Sequence, residues 1–370
     1  MAVRELAARL ARTGHAVTVF TTDMSPASGT ASAPEPVAGV EVLVSRVTGR
    51  WRRRLYDSPE LAARLRSRLG DFDLVDIHGL WSLLTSRAGA ACVDAGVPYV
   101  LTPHGQMGSW DWSKRPVAKR VFFPVFLRHT WDHASAIRYL SEGERASAAV
   151  KDEGKARVVP NGVTVPPNGQ VSRAGRDRLR TRLGIPADAL VYLLLGRLTP
   201  QKGVLELVAA FRNLRGAGRN TALLLVGPQD PAYSEQLASA VRADGSAGRV
   251  VLAGPAYGDE KQDVFAAADV FVTLSRSEGM PLAVLEAMGA GLPVIVTPQA
   301  NLPAVGDCEA GLQTPGDGET VTAAMAAMLD DEDRLRYAAN ARRVVETLYS
   351  WDAVLPQVAD MYERIVACRR

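Results

Sequence analysis

The chain has 370 residues, of which 47% are hydrophobic, 22% charged and 6% aromatic. This exceeds one ordinary core and predicts a globular protein of about two domains, excluding disordered and fibrous classes. Nowhere do 18 uncharged apolar residues run together as a spanning helix needs, and the first residues lack a signal-peptide layout.

The net charge is only +3, and Cys92, Cys308 and Cys368 are too scattered for a disulfide framework or metal knot. A reducing, cytoplasmic compartment is therefore expected. Charge is uneven: residues 1–170 carry 22 Lys+Arg against 16 Asp+Glu, and residues 171–370 carry 21 against 24. A basic front half favours an anionic surface as partner.

In chain order, Val3, Leu6, Ala7 and Leu10 fall at helical spacing, and Gly14 ends that helix. A buried strand is predicted at Ala16–Thr22. The Ser/Ala/Pro/Gly stretch Ser25–Gly39 has no periodicity and reads as a mobile loop. Further strands are predicted at Val40–Val47, Leu74–Gly79, Tyr99–His104, Ala136–Ser141 and Arg157–Pro160, with helical segments between most of them. After the Pro/Asn/Gly linker Val158–Gln170 the pattern restarts. Strands follow at Leu190–Leu195, Thr221–Val226, Arg249–Ala253, Val270–Leu274 and Pro293–Thr297. Apolar strands alternating with helices predict α/β architecture: two facing, doubly wound (Rossmann-like) domains, 1–168 and 169–349. The first domain opens on a helix, where such folds open on a central strand. It is thus expected to lack its opening strand, with the true start upstream of Met1; the alternative is another segment filling the gap.

Three stretches suggest chemistry. Between Gly279 and Gly306 the only charged residue is Glu286, on the inward stripe of a helix predicted to start near Pro281. Glu278 precedes that helix at the carboxyl end of a strand, the edge where ligands bind in open α/β sheets. Two acids so placed suit hydroxyl groups, with Gly279 and Met280 offering backbone N–H groups. The plainer reading is a capping glutamate and a core glutamate bonded to backbone. In "LLLGRLTPQKGV" a strand ends at Gly196, and Arg197 and Lys202 flank the turn into a helix at Val204. A guanidinium and an ammonium there make a phosphate site, although the glycine spacing is not that of a Walker loop. The alternative is two solvated cations. In "YVLTPHGQMGSWDW" His104, followed by Gly105, ends a buried strand, and His78 ends the preceding one. Both would border one cleft, unless both are structural.

Other features carry less. Asp71 and Asp73 precede their strand and lie at the wrong edge; Asp330–Asp333 reads as a helix start. His129 and His133 lack a third ligand, so no metal is implied. The cations of Trp51–Arg54 and Lys114–Arg128 suggest a solvated face or a membrane surface, and no nucleic-acid motif accompanies them.

Together, "GRLTPQKGV" and "SEGMPLAVLEAMGAGLPVI" resemble the Arg…Lys and E-x7-E signatures of the retaining family-4 glycosyltransferases (glycosyl transferases group 1), which have the GT-B fold. The resemblance implies that Arg197 and Lys202, after Gly196, hold the diphosphate of a nucleotide-sugar. Glu278 and the backbone of Gly279, Met280, Pro281 and Leu282 would meet the transferred sugar, and Glu286 the ribose hydroxyls. Gly254, Pro255 and Tyr257, in "AGPAYGDEK", would border the base. His104 matches the acceptor-domain histidine, with His78 and Gly105 beside it. "SWDAV" resembles the start of a last helix, 350–370, that crosses back to the first domain. Two departures stand out: the family's first strand and glycine-rich loop are absent, and Ala304 replaces a usual glutamate.

The implied activity is metal- and cofactor-independent transfer of a sugar, with retention, to a sugar or lipid-linked acceptor. Bacterial surface polysaccharide or glycolipid assembly, with peripheral contact at the inner membrane face, is the expected setting. The alternatives are an inactive nucleotide-sugar-binding protein and a sugar-nucleotide epimerase. The lack of G-x-G-x-x-G after a strand argues against a nicotinamide dehydrogenase.

Overall fold

The computed structural model describes residues 2–24, 36–47, 49–167, 172–214, 220–242 and 249–368. Residues 25–35 of the expected loop and 168–170 of the expected linker lie outside these. The chain divides into two compact units, 1–162 with 354–370, and 163–353. The sequence-based boundaries had been 168/169 and 349/350. The last helix, Trp351–Ala367, belongs to the first unit from Val354 onward.

In the first unit the opening helix Ala2–Arg12 buries Leu6, Ala7 and Leu10, the stripe expected from their spacing. Strands β1 (Val17–Thr22) and β2 (Val40–Ser45) pair in parallel as a two-stranded sheet. Strands β3 (Val75–His78), β4 (Tyr99–Thr102), β5 (Ala136–Tyr139) and β6 (Ala156–Val158) form a second parallel sheet in that order. Among the described residues no strand joins the two sheets. Phe20 of β1 nevertheless packs on the core beneath β3 and β4. Every residue of β4 and β5 is buried, the pattern of strands covered on both faces. Between β3 and β4 runs the helix Leu83–Ala95, capped by the Ser82 hydroxyl and ended by left-handed Gly96.

The second unit is one six-stranded parallel sheet. Its strands are β7 (Leu190–Leu195), β8 (Thr221–Val226), β9 (Val250–Gly254), β10 (Val270–Thr273), β11 (Val294–Val296) and β12 (Gly311–Gln313). They lie in the order β12-β11-β10-β7-β8-β9. The chain winds outward from β7 to β9, then returns to the other side of β7 and winds out again. Strand order therefore reverses between β7 and β10, and all carboxyl ends share one edge. Strand β12 has no counterpart in the sequence reading, because three residues give no measurable period. Tyr99–His104, predicted as one strand, ends at Thr102; His104 turns away in a left-handed conformation, φ 54°.

The ends of β7, β8 and β9 are drawn together by backbone. Gly196 N–H donates to Val226 O at 2.9 Å and Gly227 N–H to Gly254 O at 2.8 Å. A Cβ on Gly227 would fall 1.8 Å from Gly196 O, at φ 141°. Gly227→Ala is expected to cost about 3 kcal/mol, the upper range for a backbone clash in a packed core. Urea unfolding measures it; an unchanged midpoint would show that the two strand ends are not held this closely.

Candidate active site

The carboxyl edge of the second unit's sheet is assembled from short loops. After β7, Gly196 and Arg197 lead to buried Leu198, then to the single turn Pro200–Lys202 and left-handed Gly203 at φ 64°. A Cβ at Gly203 would lie 2.6 Å from the Leu274 carbonyl oxygen. This close approach sets the β7 loop against the loop following β10. Arg276 N–H donates to Gln201 O at 2.9 Å, and the Gln201 side-chain amide donates to Ser277 O at 2.8 Å. From the loop after β11, Gln299 O accepts from Glu278 N–H at 3.1 Å, and the Asn301 amide donates to Glu278 O.

Three loops thus fix the backbone of Glu278 at the switch point, where open α/β sheets bind ligands. Its carboxylate is ion-paired with the Lys202 ammonium. Glu286 sits on the helix Leu282–Gly289 and pairs with Lys261 Nζ at 2.6 Å, from the helix Gly258–Ala267 that follows β9. Side-chain exposures of 12–22% across both pairs show that all four charges are partly desolvated yet reachable. Neither glutamate follows the plainer reading: Glu278 caps no helix, and the Glu286 carboxylate meets an ammonium rather than backbone.

Other expected residues occupy the same edge differently. Arg197 is exposed, and its guanidinium has no partner among the described residues. Gly254 ends β9 at φ 76°, while Pro255 and Tyr257 are exposed ahead of the helix that carries Lys261; Tyr257 is 65% exposed. Pro281 precedes the helix instead of forming its first turn, and Leu282 N–H turns back to Met280 O at 3.1 Å. Gly279 and Met280 lie between Glu278 and this turn, both half-buried.

In the first unit, β3 and β4 bring the two histidines together. His78 Nδ1 and His104 Nε2 are 2.8 Å apart with stacked rings. Gly105 N–H donates to Glu144 Oε1 at 2.5 Å, and Leu140 N–H donates to the other oxygen at 2.6 Å. Burial raises the Glu144 carboxyl above its ordinary range in spite of these donors. Burial also opposes charge on Asp76. The field of His78, the Arg138 guanidinium and donation from Tyr362 nevertheless hold that carboxyl well below the usual range.

Burial, then the positive field of His78 and Arg138, push His104 down to about 3. The sign of the pH dependence follows. The unfolded chain takes up a proton near the ordinary histidine value of about 6.5 that the folded chain refuses until far lower pH. Stability should therefore be complete above that value and fall as pH drops from 6.5 toward 3. Urea midpoints between pH 7 and 5 should fall more steeply for the parent protein than for His104→Gln; equal slopes would contradict a neutral, half-buried imidazole.

Sequence reasoning missed Lys261, Asn301, Gly227, Asp76 and Tyr362. Lys261 stands in the quoted "AGPAYGDEK", one helical turn past Tyr257, and could have been found as a cation facing an inward acid. Tyr362 bonds Asp76 across 286 residues of sequence, and no spacing signals that. Among the decoys, Asp71 pairs with Arg68 at 3.2 Å, and Asp330 caps the helix Asp331–Val344. His133 Nδ1 lies 2.9 Å from His129 O, and among the described residues no three potential metal ligands gather.

Residues 1–162 match the family model described as glycosyl transferase 4-like domain, and residues 189–331 match glycosyl transferases group 1. A putative teichuronic acid biosynthesis glycosyltransferase, TuaC, of Bacillus subtilis is 29% identical over 60% of this chain and 52% of its own length. The D-inositol 3-phosphate glycosyltransferase of Kineococcus radiotolerans is 34% identical over 59% of this chain and 54% of its own. A GDP-mannose-dependent phosphatidylinositol monomannoside mannosyltransferase of Mycobacterium tuberculosis is 28% identical over 83% and 80%. The chain thus spans about half the length of the first two relatives. Among solved structures, Anabaena HepE with UDP and glucose superposes at a TM-score of 0.76, with 19% identity, covering 98% of this chain and 95% of that one. WaaG, involved in lipopolysaccharide biosynthesis, superposes at 0.70 with 20% identity over 98% and 95%.

Proposed function

Because the chain belongs to the group 1 glycosyltransferases, with their GT-B fold, we propose that it transfers a sugar from a nucleoside diphosphate to an acceptor hydroxyl with retention of configuration. One observation carries this reading: an ammonium and a carboxylate, Lys202 and Glu278, are held against each other at the switch point of the second unit's sheet. Phosphate oxygens and sugar hydroxyls are the ligands that such a pair fits together.

In the proposed step the bond from the sugar's C1 to the diphosphate oxygen breaks, and the electron pair leaves with the diphosphate. The acceptor oxygen bonds C1 on the same face, and its proton passes to the departing phosphate oxygen. Arg197 and Lys202 stabilise the growing negative charge, so the step requires no metal or other cofactor. Glu278 accepts hydrogen bonds from the sugar and Glu286 from the ribose, each exchanging part of its lysine contact for a hydroxyl. HepE was solved with UDP-glucose, and the mycobacterial relative is named for GDP-mannose, so both bases belong in a donor test.

The named roles of TuaC and WaaG, and the phosphatidylinositol monomannoside in that relative's name, support a glycan or lipid-linked acceptor. Val117, Val121 and Val125 recur one helical turn apart, 72%, 59% and 63% exposed, on the helix Pro116–Phe122 and the wider turn after it. Exposed Lys114, Arg115 and Arg120 flank them. Apolar side chains ringed by cations suit an anionic lipid surface. Among the described residues no helix is long and apolar enough to cross a membrane. Cosedimentation with vesicles containing phosphatidylglycerol is expected, weakened several-fold by Val121→Asp and by salt; equal binding to neutral vesicles would contradict the surface.

The functional test is a screen of UDP- and GDP-sugars against glycan and lipid-linked acceptors, with the product's anomeric configuration read by NMR. Retained configuration in an acceptor-dependent product is the expected result. Donor interconversion without acceptor would instead indicate an epimerase, and binding without turnover a nucleotide-sugar-binding protein.

A further inference from the structure

The two histidines of the first unit end a longer chain of hydrogen bonds. Tyr362, on the last helix, donates its hydroxyl to Asp76 Oδ2 at 2.5 Å, and Thr102 donates to Asp76 Oδ1 at 3.2 Å. His78 Nε2 lies 3.3 Å from Asp76 Oδ2, and His78 Nδ1 lies 2.8 Å from His104 Nε2. Among the described residues His104 Nδ1 has no partner, and the residue is half-buried. Among the charged groups acting on this chain is Arg138, fully buried, and the buried Glu144 carboxylate accepts from Gly105 N–H beside it.

With His78 neutral and Asp76 ionised, donor and acceptor counting fixes the protons. An ionised carboxylate only accepts, so the His78 nitrogen facing Asp76 must carry its hydrogen. A neutral imidazole has one N–H, which leaves His78 Nδ1 bare and able only to accept. His104 must then supply the hydrogen at Nε2, and its own Nδ1 is left with a lone pair. His104 is held for this task at a cost. A non-glycine residue at φ 54° is disfavoured, and the Glu144 clamp on Gly105 N–H anchors the turn that imposes it.

We propose that Tyr362, Asp76 and His78 are positioning residues that fix His104 as its Nε2–H tautomer, presenting Nδ1 as an acceptor for a substrate hydroxyl. The second half of this statement rests on the glycosyl-transfer reading; the tautomer itself does not. Replacing Asp76 by asparagine offers His78 an N–H instead of an oxygen. The relay then runs backwards: His78 Nδ1 donates to His104 Nε2, and the His104 proton moves to Nδ1.

The experiment is two-dimensional long-range 15N–1H NMR of the full chain at pH 8, where protonated and bare ring nitrogens are distinct. With only five histidines, His104→Gln assigns the signal. The expected result is Nε2–H on His104 in the parent protein and Nδ1–H in Asp76→Asn. The variant should also lose about 10- to 100-fold in kcat, with donor KM nearly unchanged, as an interaction that favours the transition state would. An Nδ1–H tautomer in the parent overturns the proposal whether or not the variant folds, as does an unchanged tautomer in a folded variant. If the tautomer is as expected but no sugar is transferred to any acceptor, the relay stands and the glycosyl-transfer reading fails.

Discussion

Lys202→Ala is expected to lower kcat/KM for the donor by about 10²-fold, the typical effect of removing one charge-stabilising donor from a transition state. The geometry makes this loss more than the removal of one cation. In the parent protein the Lys202 ammonium neutralises Glu278 beside the place where the leaving diphosphate is expected. Without it, an unpaired carboxylate faces an incoming polyanion, and repulsion adds to the lost attraction. The double variant Lys202→Ala/Glu278→Gln should therefore be less impaired than the product of the two single effects predicts. Arg197→Ala should show a similar loss, about 10²-fold, with no such coupling to Glu278, because Arg197 makes no ion pair among the described residues. Turnover in all these variants under saturating acceptor provides the comparison. Normal turnover of Lys202→Ala would remove the phosphate-clamp role.

Arg138→Met is expected to destabilise the protein by about 3–5 kcal/mol, the range for breaking a buried charge network by removing one member. Arg138 is fully buried on β5. Its guanidinium donates to Val159 O at 3.0 Å, Pro160 O at 2.5 Å and Asn161 Oδ1 at 3.2 Å. It also supports the charge of Asp76, whose side chain is 13% exposed. Methionine fills similar volume but leaves three acceptors without their donor and Asp76 without its cation. Arg138→Lys keeps the charge but cannot span three acceptors with a fork, so it should recover part of the loss. Urea unfolding followed by circular dichroism measures both. A midpoint for Arg138→Met close to the parent's would mean that Arg138 does not support the charge of Asp76.

Much of this architecture was legible because buried parallel strands are apolar throughout. Leu190–Leu195 and Thr221–Val226 were bounded to the residue, since each ends at a glycine that closes the strand. The E-x7-E spacing and the Arg197…Lys202 turn likewise pointed to one sheet edge. What composition and periodicity could not reveal are the contacts that hold those groups. Lys261 reads as one more surface lysine until the fold sets it against Glu286. Gly227 reads as a strand end, although it is needed for the approach of two backbones. Asp76 sits mid-strand, where an acid looks like an edge feature. Only tertiary structure supplies Tyr362 and Arg138 around it. His104 was expected to finish a strand; its left-handed turn depends on Glu144, forty residues away in sequence, and no local pattern announces it.

Calorimetry with UDP and GDP against the corresponding monophosphates puts the diphosphate grip to the most direct test. The parent protein should bind one diphosphate at least tenfold more tightly than its monophosphate, an advantage of about 1.4 kcal/mol or more. Arg197→Ala/Lys202→Ala should erase that advantage while leaving monophosphate affinity near the parent's. Equal weakening of both nucleotides, or a preserved preference for the diphosphate, would contradict it.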